Sequence, residues 1–358
     1  MMKVALLFDS LTGRGGAERN ALILAKALNA DIYTCFVDWN NIDAEFHDSK
    51  IYQLGLYLKA SKFLTRAEIA TRFSNLSLVG YDAYVFCGFH CLSGVKNKPN
   101  VWLSPAIIQF LYNDTEHAFV SSNLSSLERP FFELWCSSYK KFDQMWVRKM
   151  GKIVANSRYT QRNIARYYGR SSEVVYPGIE TSKYYCKSYE NFFIVSSRFV
   201  KEKRINLIID AFKEMPDKSL LIAGDGPERR NLEKIACGYE NVHFLGNLDH
   251  ADLIDFYSRC TGTIGMSISE SFGQVPVESM ASGKPAIGVN STGYKETILP
   301  GKTGFLIDPT KEEIKRAVSL LTPEMARTMK DSCIKQAKTF DISVYVERTR
   351  SILVNLTS

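Results

Sequence analysis

Two glutamates bracket the segment Glu270-Ser-Phe-Gly-Gln-Val-Pro-Val-Glu278. Proline is favoured at a first helical position and poorly tolerated deeper, so the spacing predicts a strand ending near Ile268 and a helix starting around Pro276. Glu278 then falls in the first helical turn. The backbone N–H groups of Phe272, Gly273 and Gln274 lie free between the carboxylates, and Gly273 permits close approach. A loop entering a helix N-terminus suits phosphate or hydroxyl oxygens. A carboxylate on either side can accept hydrogen bonds from sugar hydroxyls. A plainer reading has Glu278 complementing the helix dipole and Glu270 as a surface charge. Spacing alone leaves both open.

A second candidate is Ser197-Arg-Phe-Val-Lys-Glu-Lys203-Arg204. Arg198 ends a strand and Lys203 lies at the start of the next helix. Two cations on one strand-to-helix loop can grip a diphosphate, Arg as a fork and Lys as a point charge. The alternative is an exposed basic loop, and the position at a strand's carboxyl end favours function. The turn Gly13-Arg14-Gly15-Gly16 lets backbone approach a ligand, but it fits neither a dinucleotide fingerprint nor a Walker A loop.

These loops need strands and helices to hold them. Val4–Phe8 is a short apolar run, followed by the glycine turn and a helical pattern from Ala17 to about Leu28. Apolar strands recur at residues 82–87, 100–103 and 152–156, with helical stretches between. The rhythm restarts after Pro177-Gly178, with strands at 191–197, 219–223, 242–245, 262–267 and 285–289 and a helix at 205–212. Alternation of this kind predicts two doubly wound α/β domains. Their expected bounds are 1–180 and 188–340, with 341–358 as a final helix. Open parallel sheets bind ligands beyond the carboxyl ends of their strands. Two such domains facing each other across a cleft would hold a nucleotide.

The chain has 358 residues, 45% hydrophobic and 23% charged, which is ordinary for a globular protein of two domains. No apolar run approaches the ~20 residues that cross a bilayer. The eight cysteines are scattered without a C-x-x-C pair, so zinc and redox readings lack support, and buried free thiols are expected. The expected location is cytoplasmic. The net charge of +7 is uneven. Residues 51–187 hold roughly 18 Lys and Arg against about 9 Asp and Glu, which suits an anionic partner or a plain solvated face.

Several motifs together resemble glycosyltransferase family 4, the group 1 glycosyltransferases with a GT-B fold. They run in family order: Gly15-Gly-Ala-Glu18, Ala155-Asn-Ser-Arg158, Val175-Tyr-Pro-Gly178, Ser197 to Lys203, Ala223-Gly-Asp-Gly-Pro227, Phe244-Leu-Gly246, Glu270 to Glu278, and Met280-Ala-Ser-Gly-Lys-Pro285. The stretch from Ala155 to Glu180 resembles mannosyltransferase-like members that build polysaccharides and lipid-linked glycans. The resemblance implies a retaining, metal-independent hexosyltransferase that takes a nucleotide-diphosphate sugar, with GDP-mannose the foremost expectation. It requires no cofactor, and no D-x-D triplet appears.

By that resemblance, Arg198 and Lys203 neutralise the leaving diphosphate. Glu270 holds donor-sugar hydroxyls with backbone from Ser271, Phe272 and Gly273, and Glu278 takes the ribose hydroxyls. Backbone near Leu245 and Gly246 meets the base. Gly15 or Gly16 approaches the phosphates from the first domain, and the final helix crosses back onto that domain. One departure concerns a histidine that family members often carry before a Ser/Thr-Pro pair: here Leu103 precedes Ser104-Pro105. His90, Asp114, Glu116 and His117 are nearby candidates for a polar role, each more readily read as structural or exposed.

The acceptor is expected on the first domain, as a glycan or a lipid-linked glycan. Residues 124–150 mix aromatics and basics, from Phe131 and Trp135 to Trp146 and Lys149, and suit either a peripheral station on the anionic inner face of a membrane or an ordinary packed helix pair. Two other functions fit less: a catalytically silent GT-B subunit, and another GT-B enzyme such as a sugar-nucleotide epimerase. Nucleic-acid binding explains the charge but none of the motifs.

Overall fold

The computed structural model describes residues 2–13, 15–57, 62–122 and 124–357. Arg14 of the first glycine turn lies outside the described residues, as does the side chain of Glu116. The chain divides into two units, Met1–Tyr176 with Tyr345–Ser358, and Pro177–Val344.

The first unit holds a parallel sheet of β1 (Val4–Phe8), β2 (Asp31–Thr34), β3 (Ile51–Gln53), β4 (Ala83–Phe86), β5 (Asn100–Ser104), β6 (Lys152–Ala155) and β7 (Glu173–Val174). The order is β3-β2-β1-β4-β5-β6-β7. It reverses between β1 and β4, a switch point of the kind where open sheets take ligands. β1, β4 and β5 are buried along their whole length, so β1 and β4 read as unbroken hydrophobic runs and β5 as an apolar centre between Asn100 and Ser104. The helix Ile342–Thr357 contributes its greater part to this unit, where Arg348 donates to the Val174 carbonyl at 3.4 Å and Arg350 to that of Ala27.

The second unit holds β8 (Phe192–Ser196), β9 (Ser219–Ala223), β10 (Val242–Gly246), β11 (Gly262–Gly265), β12 (Ala286–Val289) and β13 (Gly304–Ile307). All pair in parallel in the order β10-β9-β8-β11-β12-β13, with the reversal between β8 and β11. Each unit is therefore a doubly wound α/β domain of Rossmann type.

Two local expectations need correction. β11 ends at Gly265, short of Ile268, and the following helix spans Gln274–Ala281, starting ahead of Pro276. Gly273, at φ 86°, caps it. Proline is accepted at the third position because the first N–H groups of a helix have no intrahelical acceptor anyway. Glu278 accordingly lies past the first turn. Residues 128–149 form one helix of 22 residues, where a helix pair was the plainer expectation.

A buried polar group sits inside the first unit. Asp143, 1% exposed, accepts from the hydroxyls of Tyr112 and, at 2.7 Å, Tyr168. Burial pushes its carboxyl up from 3.8 to about 6, against the two hydroxyls that pull it down. The fold thus favours the protonated acid. Its contribution to stability is full below pH ~4 and is lost as pH rises through ~6, by roughly 3 kcal/mol for a shift of about two units. Thermal unfolding of wild type and Asp143→Asn across pH 4 to 7 should therefore diverge: the wild type loses stability over that window relative to the variant. Parallel profiles would contradict the assignment.

Candidate functional site

The carboxyl ends of the second unit's strands are joined loop to loop. After β8, Ser197 N–H donates to the Ala223 carbonyl at 3.1 Å and Phe199 N–H to Asp225 at 2.8 Å, while Glu228 N–H returns to Phe199 at 3.1 Å. The β9 loop can lie this close because Gly224 and Gly226 adopt φ of 129° and 154°. A Cβ on Gly224 would stand 1.9 Å from the Ser197 carbonyl oxygen. The motif Ala223-Gly-Asp-Gly-Pro227 therefore supports the loop carrying Arg198. Phe199, fully buried, pins that loop, and Arg198 beside it is exposed with no side-chain partner among the described residues. Gly224 N–H also donates to Gly246 at 2.8 Å, next to an irregularity in β10 between Phe244 and Gly246 that sets Leu245 half-buried at the strand's end.

Lys203 closes the 3-10 turn Lys201–Lys203, and its Nζ lies 2.8 Å from Glu270 Oε2. Main-chain bonds position that pair. Ile268 N–H donates to Glu202 at 2.9 Å, and Gly293 N–H to the Glu270 carbonyl at 2.8 Å. A Cβ on Gly293 would fall 2.5 Å from both N and Cα of Phe272, so only glycine lets these two backbones touch. Phe272 is buried, edge-on to Phe340 at 5.3 Å between centroids. Tyr294 fills the space left by Gly265, where a Cβ would meet its hydroxyl at 2.5 Å. Burial and then the Glu270 charge push the Tyr294 hydroxyl far up.

Glu278 is 8% exposed. Gln274 Nε2 donates to its Oε1 at 3.1 Å, and the Tyr257 hydroxyl to its Oε2 at 3.3 Å. Burial, then the Glu278 charge, raises the Tyr257 hydroxyl well above its ordinary range. A buried carboxylate in the second turn is poorly placed as a mere complement to the helix dipole, whose effect fades beyond the first turn. Glu270 is likewise a paired, mostly covered group. The structure thus brings Lys203 and Glu270 together and sets Glu278 on the helix that follows. Arg198 lies in the loop after β8 and Leu245 and Gly246 at the end of β10, on the same sheet edge, and Ser271 and Gly273 flank Phe272.

The first unit treats its glycine turn differently. The Glu18 carboxylate accepts from Thr12, Gly13 and Gly15 N–H at 3.2, 2.9 and 3.0 Å. A Cβ on Gly15 would meet Glu18 Oε2 at 2.5 Å, and Gly16 opens the helix Gly16–Leu28. Leu103 is buried in β5. His117 bonds Glu133 at 2.8 Å and the Phe110 carbonyl at 2.8 Å. His90 is buried against the Tyr139 hydroxyl. Asp9, at the end of β1, accepts from Phe89, His90 and Cys91 N–H at 3.0, 2.9 and 2.7 Å. Sequence reasoning passed over Asp9 and Tyr139; the readable signal was an acid just after the first strand, at the switch point. Among the described residues no three His, Cys, Asp or Glu side chains gather to hold a metal.

Residues 182–340 match the family model described as "Glycosyl transferases group 1". An uncharacterized glycosyltransferase of Methanocaldococcus jannaschii is 26% identical over 212 residues, 57% of this chain and 60% of that protein. A GDP-mannose-dependent alpha-(1-6)-phosphatidylinositol monomannoside mannosyltransferase of Mycolicibacterium smegmatis is 29% identical over 205 residues, 48% of this chain and 54% of its own. The matched stretches thus span less than two thirds of these relatives. Among solved structures, Anabaena HepE in complex with UDP and glucose shares the fold at TM-score 0.75 and 19% identity, covering 99% of this chain and 100% of that one.

Gly293→Ala should force the Phe272 backbone away and lower stability by about 1–3 kcal/mol, the usual range for overpacking. Urea unfolding measures it, and an unchanged midpoint would refute the close-approach account.

Proposed function

Because residues 182–340 match the group 1 glycosyltransferase model, we propose that the protein is a retaining hexosyltransferase. It moves a hexose from a nucleotide-diphosphate sugar to a glycan or lipid-linked acceptor. The observation that carries this reading is the Lys203–Glu270 pair, held at the carboxyl ends of parallel strands by loops that glycines bring into contact. Arg198 and Lys203 take the diphosphate, Arg198 by its fork and Lys203 by exchanging Glu270 for phosphate oxygen. Glu270 then accepts from donor-sugar hydroxyls, beside the backbone of Ser271, Phe272 and Gly273. Glu278, already bonded to Tyr257 and Gln274, takes ribose hydroxyls. Backbone at Leu245 and Gly246 meets the base.

The bond between C1 of the sugar and the diphosphate oxygen breaks as charge gathers on the leaving group. Fixed cations and backbone dipoles stabilise that charge without reorganising. The acceptor oxygen bonds C1 from the same face, and its proton passes to a diphosphate oxygen. On this reading two side-chain cations supply the charge and no metal is needed. Mannose from GDP-mannose is the foremost donor, supported by the mycobacterial relative; the complex of HepE with UDP and glucose keeps UDP-glucose in the comparison.

A lipid-linked acceptor is favoured by one observation in the first unit. Phe131, Leu134, Phe142 and Met145 are 73, 69, 52 and 38% exposed and lie on one stripe of the helix Glu128–Lys149, continued by its N-cap Leu127 at 81%. Arg129, Lys141, Arg148 and Lys149 on the same helix are exposed too. An apolar stripe with cations suits an anionic bilayer surface. No helix among the described residues is long and apolar enough to cross a membrane.

Thermal stabilisation by a panel of GDP- and UDP-sugars tests the donor site. A ligand at 100 times its Kd adds about 2.7 kcal/mol, and Glu278→Ala should weaken binding about tenfold or more. No response to any nucleotide sugar would favour the silent-subunit reading instead. Vesicles containing phosphatidylglycerol should co-sediment the wild type at low salt, and Phe131→Ser with Leu134→Ser should abolish that. A wild type that ignores the vesicles removes the membrane reading.

A further inference from the structure

Arg66 stands on the helix Lys62–Asn75, which packs on the 3-10 turn His90–Gly94 through the Ser93 hydroxyl bonded to the Ala70 carbonyl at 2.6 Å. Its guanidinium carbon lies 5.2 Å from the Phe110 ring centroid and 5.7 Å from that of Trp135. All three side chains are half-buried, so solvent still reaches them. Among the described residues the guanidinium has no hydrogen-bond or ion-pair partner. Rings satisfy the face of a guanidinium, not the five N–H donors along its edge.

The nearby acids are engaged elsewhere. Asp9, close enough for its charge to act on Arg66, spends its oxygens on three backbone N–H groups. Glu133 is taken by His117. His90 is bonded to Tyr139, and burial lowers its basicity, so it brings no second cation. Burial also works against the Arg66 charge. A half-buried cation whose fork has no partner among the described residues leaves its N–H donors available to an anion.

We propose that Arg66 anchors an oxyanion, phosphate or carboxylate, carried by the acceptor, with Phe110 and Trp135 as its apolar floor. Calling the ligand an acceptor rests on the transferase reading; the anion site does not.

The test titrates the whole protein with n-octyl phosphate, n-octanol and inorganic phosphate, read by tryptophan fluorescence and thermal stability. The wild type should bind octyl phosphate at least tenfold more tightly than Arg66→Met, with Arg66→Lys between them, because a point charge replaces a fork. Octanol should not discriminate among the three. Octyl phosphate at least tenfold tighter than inorganic phosphate supports a lipid-type source; equal affinity supports a free or glycan-borne oxyanion. Equal octyl phosphate binding by wild type and Arg66→Met would overturn the proposal, and Arg66→Lys serves the same comparison if Arg66→Met does not fold. Nucleotide-sugar stabilisation is measured in the same samples. Its absence from the wild type, with the Arg66 effect retained, would sink the transferase reading and leave the anion site standing.

Discussion

Main-chain contact between loops is the constraint on which the second unit depends. Ile268 reaches Glu202, Gly293 reaches Glu270, and Phe199 reaches Asp225. None of these bonds involves a side chain, yet together they decide where Lys203, Glu270 and Arg198 stand. Glycines at 224, 226 and 293 make the approaches possible, since a Cβ at any of them would overlap a neighbouring backbone. The ion pair between Lys203 and Glu270 is then a consequence of where the loops are, with two flexible side chains adding only the last contact.

The first unit shares the architecture but uses its strand ends another way. Asp9 and Glu18 turn carboxylates inward onto backbone N–H groups, so its loops are shaped by acids of the chain itself. Its cations remain at the margins: Arg66 over aromatic rings, and the exposed basic residues along the helix Glu128–Lys149. The two units thus present opposite chemistry at equivalent ends of similar sheets.

Much of this was legible in the sequence. β1, β4, β8 and β9 read as apolar runs because burial on both faces demands them, and the helix Ile205–Phe212 had its expected bounds. β2, β3, β7 and β13 did not stand out: they are short, several lie toward the sheet edges, and they carry residues such as Asp31, Gln53 and Glu173. The residues at the carboxyl ends of the second unit's strands were singled out through motif order. Their supports were not, because Tyr257 meets Glu278, and Tyr294 fills the space beside Gly265, only after the sheet forms. Arg66 left no trace in the pattern: one arginine in an amphipathic helix is ordinary, and only packing shows that its fork is vacant.

The glycine turn of the first unit carries its own occupant. Glu18 is tethered three residues from Gly15, so any outside anion seeking those N–H groups competes with a carboxylate whose effective concentration is on the order of millimolar or more. Small free anions at lower concentration are excluded by this internal competitor. A ligand that displaces it must bring binding free energy from elsewhere on its own surface. Only a molecule held at a second point would gain enough to displace the carboxylate from the turn.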